Sequence, residues 1–438
     1  MSARLTRPQV LAQAVPIMAA NIATPLVGLV DIAVIGRTGA TEDIAAVALG
    51  TLIFNALFWS LGFLRMGSTA LTAQAEGKGE EGEVRATLIR AGALGLAFGL
   101  LFIVFQWPLR EGALMLFSGG AAVEDEARAY FSARIWGAPA ALAGYAVYGW
   151  LIGLSRTGMA LALQGALNLA NAGLSILFVF GLGWGVAGVG AASAIAQWIH
   201  LAAAAGIVIL VLKPRPPAGP SFLLAAEPVA RLLSVNRDIF LRTVALIAGF
   251  YWFNEASLRE GPAVLAGNAI LLQFISISAF FLDAFAHVTE AVAGQAAGRR
   301  SWPALMRAFR LTSEQALAFA LLLSAVLFLF GEAFIALMTT DPQAREMAAR
   351  FLPWCALVPL IGMPSWQLDG LMIGTTRGPL MRNAMIAALA LYVGLDLLLR
   401  PALGGDGLWL AFLAYYLARA ATLMAGWPGL RREFLARS

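Results

Sequence analysis

The sequence predicts an all-α polytopic membrane protein with 12 transmembrane helices in two six-helix lobes, related by a pseudo-two-fold axis along the membrane normal. Three observations predict it. Hydrophobic residues fill 60% of the 438 positions and charged residues 13%, with a mean hydropathy of +0.78, a bilayer composition rather than that of a soluble chain. Windows of about 20 residues, the length that crosses a hydrocarbon core about 30 Å thick, pick out twelve apolar runs. The second half of the chain also repeats the first at an offset of 221 residues.

The runs begin near Val10, Ile44, Ala86, Phe131, Met159, Ala187, Ile239, Val264, Leu305, Met347, Leu380 and Leu408. The first follows MSARLTRPQV, where Arg4 and Arg7 precede it as in a secretory signal. That run is too long, holds Asp31 and has no small-residue cleavage site, so it reads as a retained span. After the sixth run, KPRPPAGPSFLLAAEP (213–228) is the longest Pro-rich and basic break. It divides the chain into an N-lobe (1–212), a cytoplasmic linker (213–236) and a C-lobe (237–438).

At the 221 offset, FLRMGSTALTAQAEGK (63–78) falls on AFAHVTEAVAGQAAGR (284–299), so Gln74 meets Gln295 and Gly77 meets Gly298. Without a gap, WLIGLSRTG from Trp150 falls on LMIGTTRGP from Leu371. A repeat with an even number of spans enters the membrane twice from the same side, the parallel arrangement of some secondary transporters. With the N-terminus inside, the inner segments hold 21 Lys and Arg and the outer ones 8, Arg65 lying within a span. That bias places both termini in the cytoplasm. It also accounts for the pI near 9.7 without a nucleic-acid partner. Trp107, Trp184 and Trp302 fall near span ends, the positions of an interfacial belt.

Several chemistries are excluded by what is missing. One cysteine, Cys355, and two histidines, His200 and His287, cannot make a disulfide or a His/Cys metal site. GWGVAG (183–188) matches GxGxxG, yet it joins two spans and reads as a tight turn rather than a dinucleotide site. Neither a P-loop nor HExxH occurs. No cofactor and no resident metal are therefore expected, and an enzyme has no visible catalytic apparatus.

Charges inside the runs are the sharpest signal, since an Asp near mid-membrane costs about 2.5–3.5 kcal/mol on insertion scales. They are Asp31, Arg65, Glu255, Asp283, Glu290, Asp369 and Asp396. Asp31, in PLVGLVDIAVIGRTG, follows Pro16 by fifteen residues and Pro25 by six, so it sits on a helix that those prolines kink. A desolvated carboxylate exchanges protons near neutral pH, and such a group can carry a proton inward. The alternative is a structural carboxylate bonded to helix neighbours or paired with Arg65.

Asn168, Asn171 and Ser175 recur at spacings of three and four, on one face of the fifth run, as a polar face for a cavity or as helix–helix glue. Asp283, His287 and Glu290 follow the same rule on the eighth run. Asp369, in WQLDGLMIG, has apolar neighbours on both sides and is a second candidate for ion or substrate binding. Glu255 and Asp396 lie nearer outer ends, where snorkelling to water is the expectation.

The runs PLVGLVDIAVIGRTG, FLRMGSTALTAQAEGK, LLSVNRDIFLRT and LDGLMIGTTRGPLMRN together resemble the multidrug and toxic compound extrusion (MATE) family, in its DinF-like branch, over essentially the whole chain. The resemblance implies an antiporter that alternates between outward-open and inward-open forms. It assigns cation coupling to Asp31 and the kink to Pro16. Asn171 takes the place of the fifth-span asparagine, with Asn168 one turn earlier, and Ser193 that of a sixth-span hydroxyl.

Two departures stand out. Ser175 replaces an aspartate of many relatives, which weakens a sodium site and favours protons. Gly144 stands where some relatives have asparagine. The NorM-like branch uses C-lobe carboxylates, which keeps Glu255 and Asp369 as a minority sodium site.

The expected protein is a cation-coupled antiporter, with H+ before Na+, that exports organic, cationic amphipathic compounds as a monomer in the bacterial inner membrane. Arg65 and Asp369 are expected to line its cavity. The alternatives are a sodium-coupled exporter and a lipid-linked precursor flippase. A flippase would want a more basic cavity than Arg65 alone provides.

Overall fold

A computed structural model of the chain describes residues 5–37, 40–116, 120–212, 220–223 and 225–436, and among them there is helix but no strand. The first run is broken in two. Helix α1 (Arg7–Ala23) contains Pro16 and stops before Pro25, and α2 (Leu26–Ile35) restarts after it. Pro25 has no N–H to donate and its ring crowds the preceding turn, so the break falls there. Next come α3 (Thr41–Ser60), α4 (Phe63–Lys78), α5 (Glu81–Val104), α6 (Gln106–Leu116) and α7 (Ala121–Arg134). A 3₁₀ turn, Ile135–Gly137, leads into α8 (Ala138–Gly153).

Helix α9 (Thr157–Ile176) ends in one wide π turn, Leu177–Gly181. The GWGVAG motif then turns the chain through Gly183 and Gly185, at φ +68 and +55, into α10 (Gly185–Val211). A short α11 (Pro220–Leu223) precedes α12 (Ala226–Arg259), α13 (Pro262–Gly298) and α14 (Trp302–Met338). The chain closes with α15 (Pro342–Gly374), α16 (Gly378–Leu403), α17 (Gly405–Met424) and α18 (Trp427–Ala436). Helix α15 starts on an N-cap, the Asp341 carboxylate accepting from Ala344 N at 3.0 Å.

Among the described residues, 11 helical stretches are long and apolar enough to cross a membrane. The expected run near Ile239 lies in α12, which is not one of them because Glu227, Arg231, Arg237, Asp238, Arg242, Glu255 and Arg259 interrupt its apolar residues. The chain is an all-helical polytopic membrane protein. Residues 213–219 and 224 of the expected linker lie outside the described residues.

Helices cluster into two compact units. The first gathers Met1–Met18, Ala73–Gly79 and Ser234–Ser438, and the second Ala19–Thr72 and Glu80–Leu233. In the first, Val10, Ala14 and Ile17 follow the i, i+4, i+7 rule. They bury one stripe of α1 in a core that includes Phe253, Trp409, Phe412, Tyr415 and Tyr416. In the second, α5 packs on α8 through Gly95 and Gly99, where an added Cβ would stand 2.5 Å from Leu142 O and 2.2 Å from Pro139 Cα. Small residues four apart let two backbones touch, the packing mode of apolar helices in lipid.

The duplication extends to backbone detail. Ser155 and Thr376, 221 residues apart, both adopt the left-handed region, at φ 57 and 56. Each sits between the same two bonds, Ser155 N to Ile152 O and Arg156 N to Leu151 O in one copy, Thr376 N to Ile373 O and Arg377 N to Met372 O in the other, all 2.8 Å. This closes a helix by satisfying its last carbonyls, at the cost of placing a non-glycine in αL. Gly149 against Arg65 O (2.2 Å to an added Cβ) likewise recurs as Gly370 against Ala286 O (2.5 Å).

Candidate functional site

The break at Pro25 turns α2 so that Asp31 is fully buried against α9 and α10. Ser175 Oγ donates to Asp31 Oδ1 at 3.0 Å and Ser193 Oγ donates to Oδ2 at 3.3 Å. Asn171 Nδ2 donates to Ser193 Oγ at 2.9 Å, which orients that hydroxyl toward the carboxylate. The Asn171 amide oxygen is buried and has no hydrogen-bond partner among the described residues, an open acceptor at the edge of the cluster. Four of the residues singled out in the sequence, Asp31, Asn171, Ser175 and Ser193, thus form one hydrogen-bonded group within one unit.

Asn168 belongs to the same helix face but does something else. Its amide donates to Ala23 O at 2.7 Å while its own oxygen accepts from Gln164 Nε2 at 3.0 Å. Ala23 ends α1, and the last carbonyls of a helix have no partner within it, so Asn168 caps the broken end. Thr24 Oγ1, donating to Ala20 O at 3.0 Å, occupies a second carbonyl there. Pro16, by contrast, lies within a continuous α1.

The cation beside Asp31 is Arg134 at the end of α7, whose charge acts on the carboxylate. Arg65, named in the alternative reading of Asp31 as its partner, lies on α4, where its charge acts on Tyr145 and Tyr148. Arg134 donates to Tyr130 Oη, and its guanidinium lies 4.8 Å from the Phe54 ring centroid and 5.4 Å from that of Tyr130. Tyr130 Oη is also 3.2 Å from Thr51 Oγ1. The Tyr130 ring fits because residue 50 is glycine, since an added Cβ would lie 2.2 Å from Tyr130 Cδ1. Arg134, Tyr130 and Thr51 were missed in the sequence. Arg134 reads there as one of the outer-segment cations, although its helix runs on through the 3₁₀ turn into α8.

The departure at Gly144 has a structural counterpart. An added Cβ on Gly144 would meet His200 Cε1 at 3.0 Å and Nδ1 at 3.1 Å, so the imidazole of α10 fills the space a longer side chain would need. His200 is buried and its Nδ1 has no partner among the described residues.

The minority sodium pair does not fit a sodium site. Glu255 is paired with Arg259 at 3.2 Å and is partly open to its surroundings. Asp369 is buried in the first unit, with Arg242 and Arg419 both donating to its Oδ2, the latter at 2.8 Å. Two guanidiniums at one carboxylate oxygen neutralise its charge and repel a further cation. Asp396 does not snorkel as its position suggests. It is fully buried, accepting from Trp252 Nε1 at 3.0 Å and from Arg400 Nε at 3.2 Å. Its ion pair replaces the water it was expected to reach.

Comparison with known proteins agrees with this architecture. The family model MatE matches residues 16–177 and 250–398. The chain is 37% identical over 415 residues to DNA damage-inducible protein F of Escherichia coli (strain K12), covering 94% of this chain and 90% of that protein. It is 27% identical over 451 residues to multidrug resistance protein MdtK of Edwardsiella ictaluri (strain 93-146), covering 98% and 95%. A solved structure of a multidrug resistance MATE family transporter of the MOP superfamily, in an outward-facing conformation, superposes with a TM-score of 0.85 at 17% identity, covering 98% of this chain and 96% of that one. With the family model matching most of the chain and the likeness to the Escherichia coli protein running through nearly all of it, this chain belongs to the MATE family, in its DinF-like branch.

Proposed function

We propose that the chain is a proton-coupled antiporter that exports organic compounds, cationic amphipaths among them, from the bacterial cytoplasm by alternating access. The observation that carries this reading is the setting of Asp31, a fully buried carboxylate held by two hydroxyls and one nearby cation. Hydroxyls donate to a carboxylate, and on rotation they accept from a carboxylic acid. Ser175 and Ser193 therefore serve either protonation state without rebuilding the site. A stable sodium site takes several oxygen ligands, and the second carboxylate that would help supply them is Ser175 in this chain. That favours H+ over Na+.

In the proposed cycle, a cationic substrate and a proton compete for Asp31. Proton entry from outside removes the charge that holds the cation, and proton loss to the cytoplasm restores it. Each inward proton is driven by about 2.3 kcal/mol per 100 mV of membrane potential, so one or two sustain a useful outward gradient. The broken first helix, capped at Ala23 by Asn168, is the element whose straightening or bending would follow the protonation state. The N-lobe (1–212) and C-lobe (237–438), joined by a cytoplasmic linker (213–236), would be the moving bodies of a twelve-helix monomer with both termini inside.

The name of a relative supports the cargo class, since MdtK of Edwardsiella ictaluri is designated a multidrug resistance protein. The test is purified protein in liposomes with a cationic dye, under a pH gradient or a sodium gradient applied separately. Wild-type protein and Glu255→Gln are expected to export under the pH gradient, and Asp31→Asn to fail. Export driven by sodium alone, or pH-driven export by Asp31→Asn, would overturn the reading.

A further inference from the structure

We propose that Arg242 and Arg419, in the first unit, form a binding site for the anionic group of a small amphipathic cargo, a carboxylate, sulfonate or phosphate. This rests on the exporter reading only in calling the ligand a cargo. The two arginines come from α12 and α17 and meet Asp369 of α15, and all three side chains are more than nine-tenths buried. Both guanidiniums donate to one oxygen, Asp369 Oδ2, so two positive charges share one negative charge. At this oxygen one positive charge is left over, where an unbalanced buried charge is costly; the charge of Asp283, on α13, acts on Tyr416 beside Arg419.

The next carboxylate along α12 does not offset it. Asp238, one turn before Arg242, is taken by Arg382 at 2.7 Å and Arg237 at 3.2 Å. The arginines are also unsaturated as donors, with Arg242 Nε and Arg419 Nε both buried and unpartnered among the described residues. Arg419 is held for recognition rather than merely neutralised. Its guanidinium lies 5.6 Å from the Tyr415 ring centroid and 5.3 Å from that of Tyr416. Aromatic contact covers its face and leaves the N–H edge to acceptors, the fork that matches planar anions.

The three residues stand apart from the duplicated framework. Their counterparts at the 221 offset are Asn21, Tyr148 and Trp198, which do not repeat the charges. A structural ion pair needs one arginine, and the second creates the capacity for one more anionic charge. A cargo carrying that charge completes the cluster without displacing Asp369. The chemistry is common to a soluble amphipath and to a lipid phosphate, and the near-complete burial of the cluster favours the soluble molecule.

The test uses full-length protein in phosphatidylcholine nanodiscs and two dyes with one ring system and opposite charge, fluorescein and tetramethylrhodamine ethyl ester, followed by fluorescence anisotropy against empty discs. Wild-type protein is expected to bind fluorescein saturably. Arg419→Gln leaves Asp369 balanced by Arg242, so the fold keeps a neutral pair, and the fluorescein-to-rhodamine affinity ratio is expected to fall ten-fold or more. Asp369→Asn frees both guanidiniums and is expected to raise fluorescein affinity.

No saturable fluorescein binding, an unchanged ratio in Arg419→Gln, or weaker binding in Asp369→Asn would overturn the proposal. Competition by phosphatidylglycerol discs against fluorescein would assign the site to lipid and overturn the cargo form of it. Binding at equilibrium needs no gradient, so a failure here leaves proton coupling at Asp31 untouched. A failure of pH-driven export in liposomes leaves this site standing.

Discussion

Replacing Gly92, Gly95 and Gly99 by alanine, one at a time, puts the same methyl group at three points along one helix, α5. At Gly92 nothing lies within 4 Å of the new Cβ. At Gly95 it would stand 2.5 Å from Leu142 O and 2.8 Å from Ala143 N, and at Gly99 2.2 Å from Pro139 Cα and 2.4 Å from its nitrogen. Ordinary contact begins at 3.4 Å, so Gly99→Ala requires α5 and α8 to part by about 1.2 Å. The atoms in the way are backbone, and no side chain can swing aside.

Each alanine gains about 0.8–1 kcal/mol of helix propensity. Overpacking costs about 1–3 kcal/mol, the upper end applying where the backbone itself must move. Gly92→Ala should therefore be neutral or slightly stabilising, and Gly99→Ala should lose about 1–2 kcal/mol net. At roughly 2–4 °C per kcal/mol for a body of this size, the two variants should melt about 5–10 °C apart. Heating purified protein in detergent and reading the monodisperse fraction by fluorescence-detected size exclusion measures this. A Gly99→Ala protein as stable as Gly92→Ala would refute the close-packed geometry.

Three further outcomes follow from the site and its surroundings. Ser175→Ala removes a hydrogen bond to an ionised group, of about 1.5–3 kcal/mol, and should slow pH-driven dye export about ten-fold or more in liposomes, while Ser175→Thr keeps the hydroxyl and most of the rate. Asn168→Leu strips the cap from Ala23 O, leaving a carbonyl without its partner at a cost of about 1–3 kcal/mol, and should lower the melting midpoint and export together.

The third outcome concerns α6, outside the candidate spans. There, the hydrogen bond from Arg110 to Glu111 holds that carboxyl below the usual carboxylate range, with Arg128 adding its charge. A depressed carboxylate contributes above its unfolded pKa and is lost as pH falls through the folded one. Amide exchange in α7 at about pH 4.5 should therefore stay slow in wild-type protein and quicken in Glu111→Gln.

How much of this was legible in the sequence depended on whether the signal was local. Asp31 was visible because one charge in an apolar run is expensive wherever it lies. Asn171 and Ser175 were visible because spacings of three and four on a helix fix a face. The repeat was visible because whole motifs recur, and it proved to include the left-handed turns at Ser155 and Thr376.

What stayed hidden was depth and facing. Helices α13, α14 and α15 run 37, 37 and 33 residues, about 50 Å or more at about 1.5 Å per residue, well beyond a hydrocarbon core of about 30 Å. Distance along the chain from a span's end therefore does not give distance from water. Arg134, Arg242 and Arg419 were counted with the flanking loops for that reason, and Asp396 was expected to snorkel. All but Arg134 are nine-tenths or more buried, and Arg134 packs on Phe54 and Tyr130 beside Asp31. Gly95 and Gly99 form a GxxxG pair that the sequence displayed, but only the facing helix, with Pro139 and Leu142 against them, gives the spacing its meaning.

The central claim is that proton and cationic substrate exchange at one carboxylate, and proton release on binding tests it most directly. Saturating cationic dye added to purified wild-type protein in weakly buffered solution, followed with a pH electrode, should release up to one proton per molecule bound, with the yield changing across the pH range in which export operates. Asp31→Asn should release none, even at dye concentrations that force binding. Equal release by Asp31→Asn, or dye binding by wild-type protein with no proton released at any pH, would contradict the account.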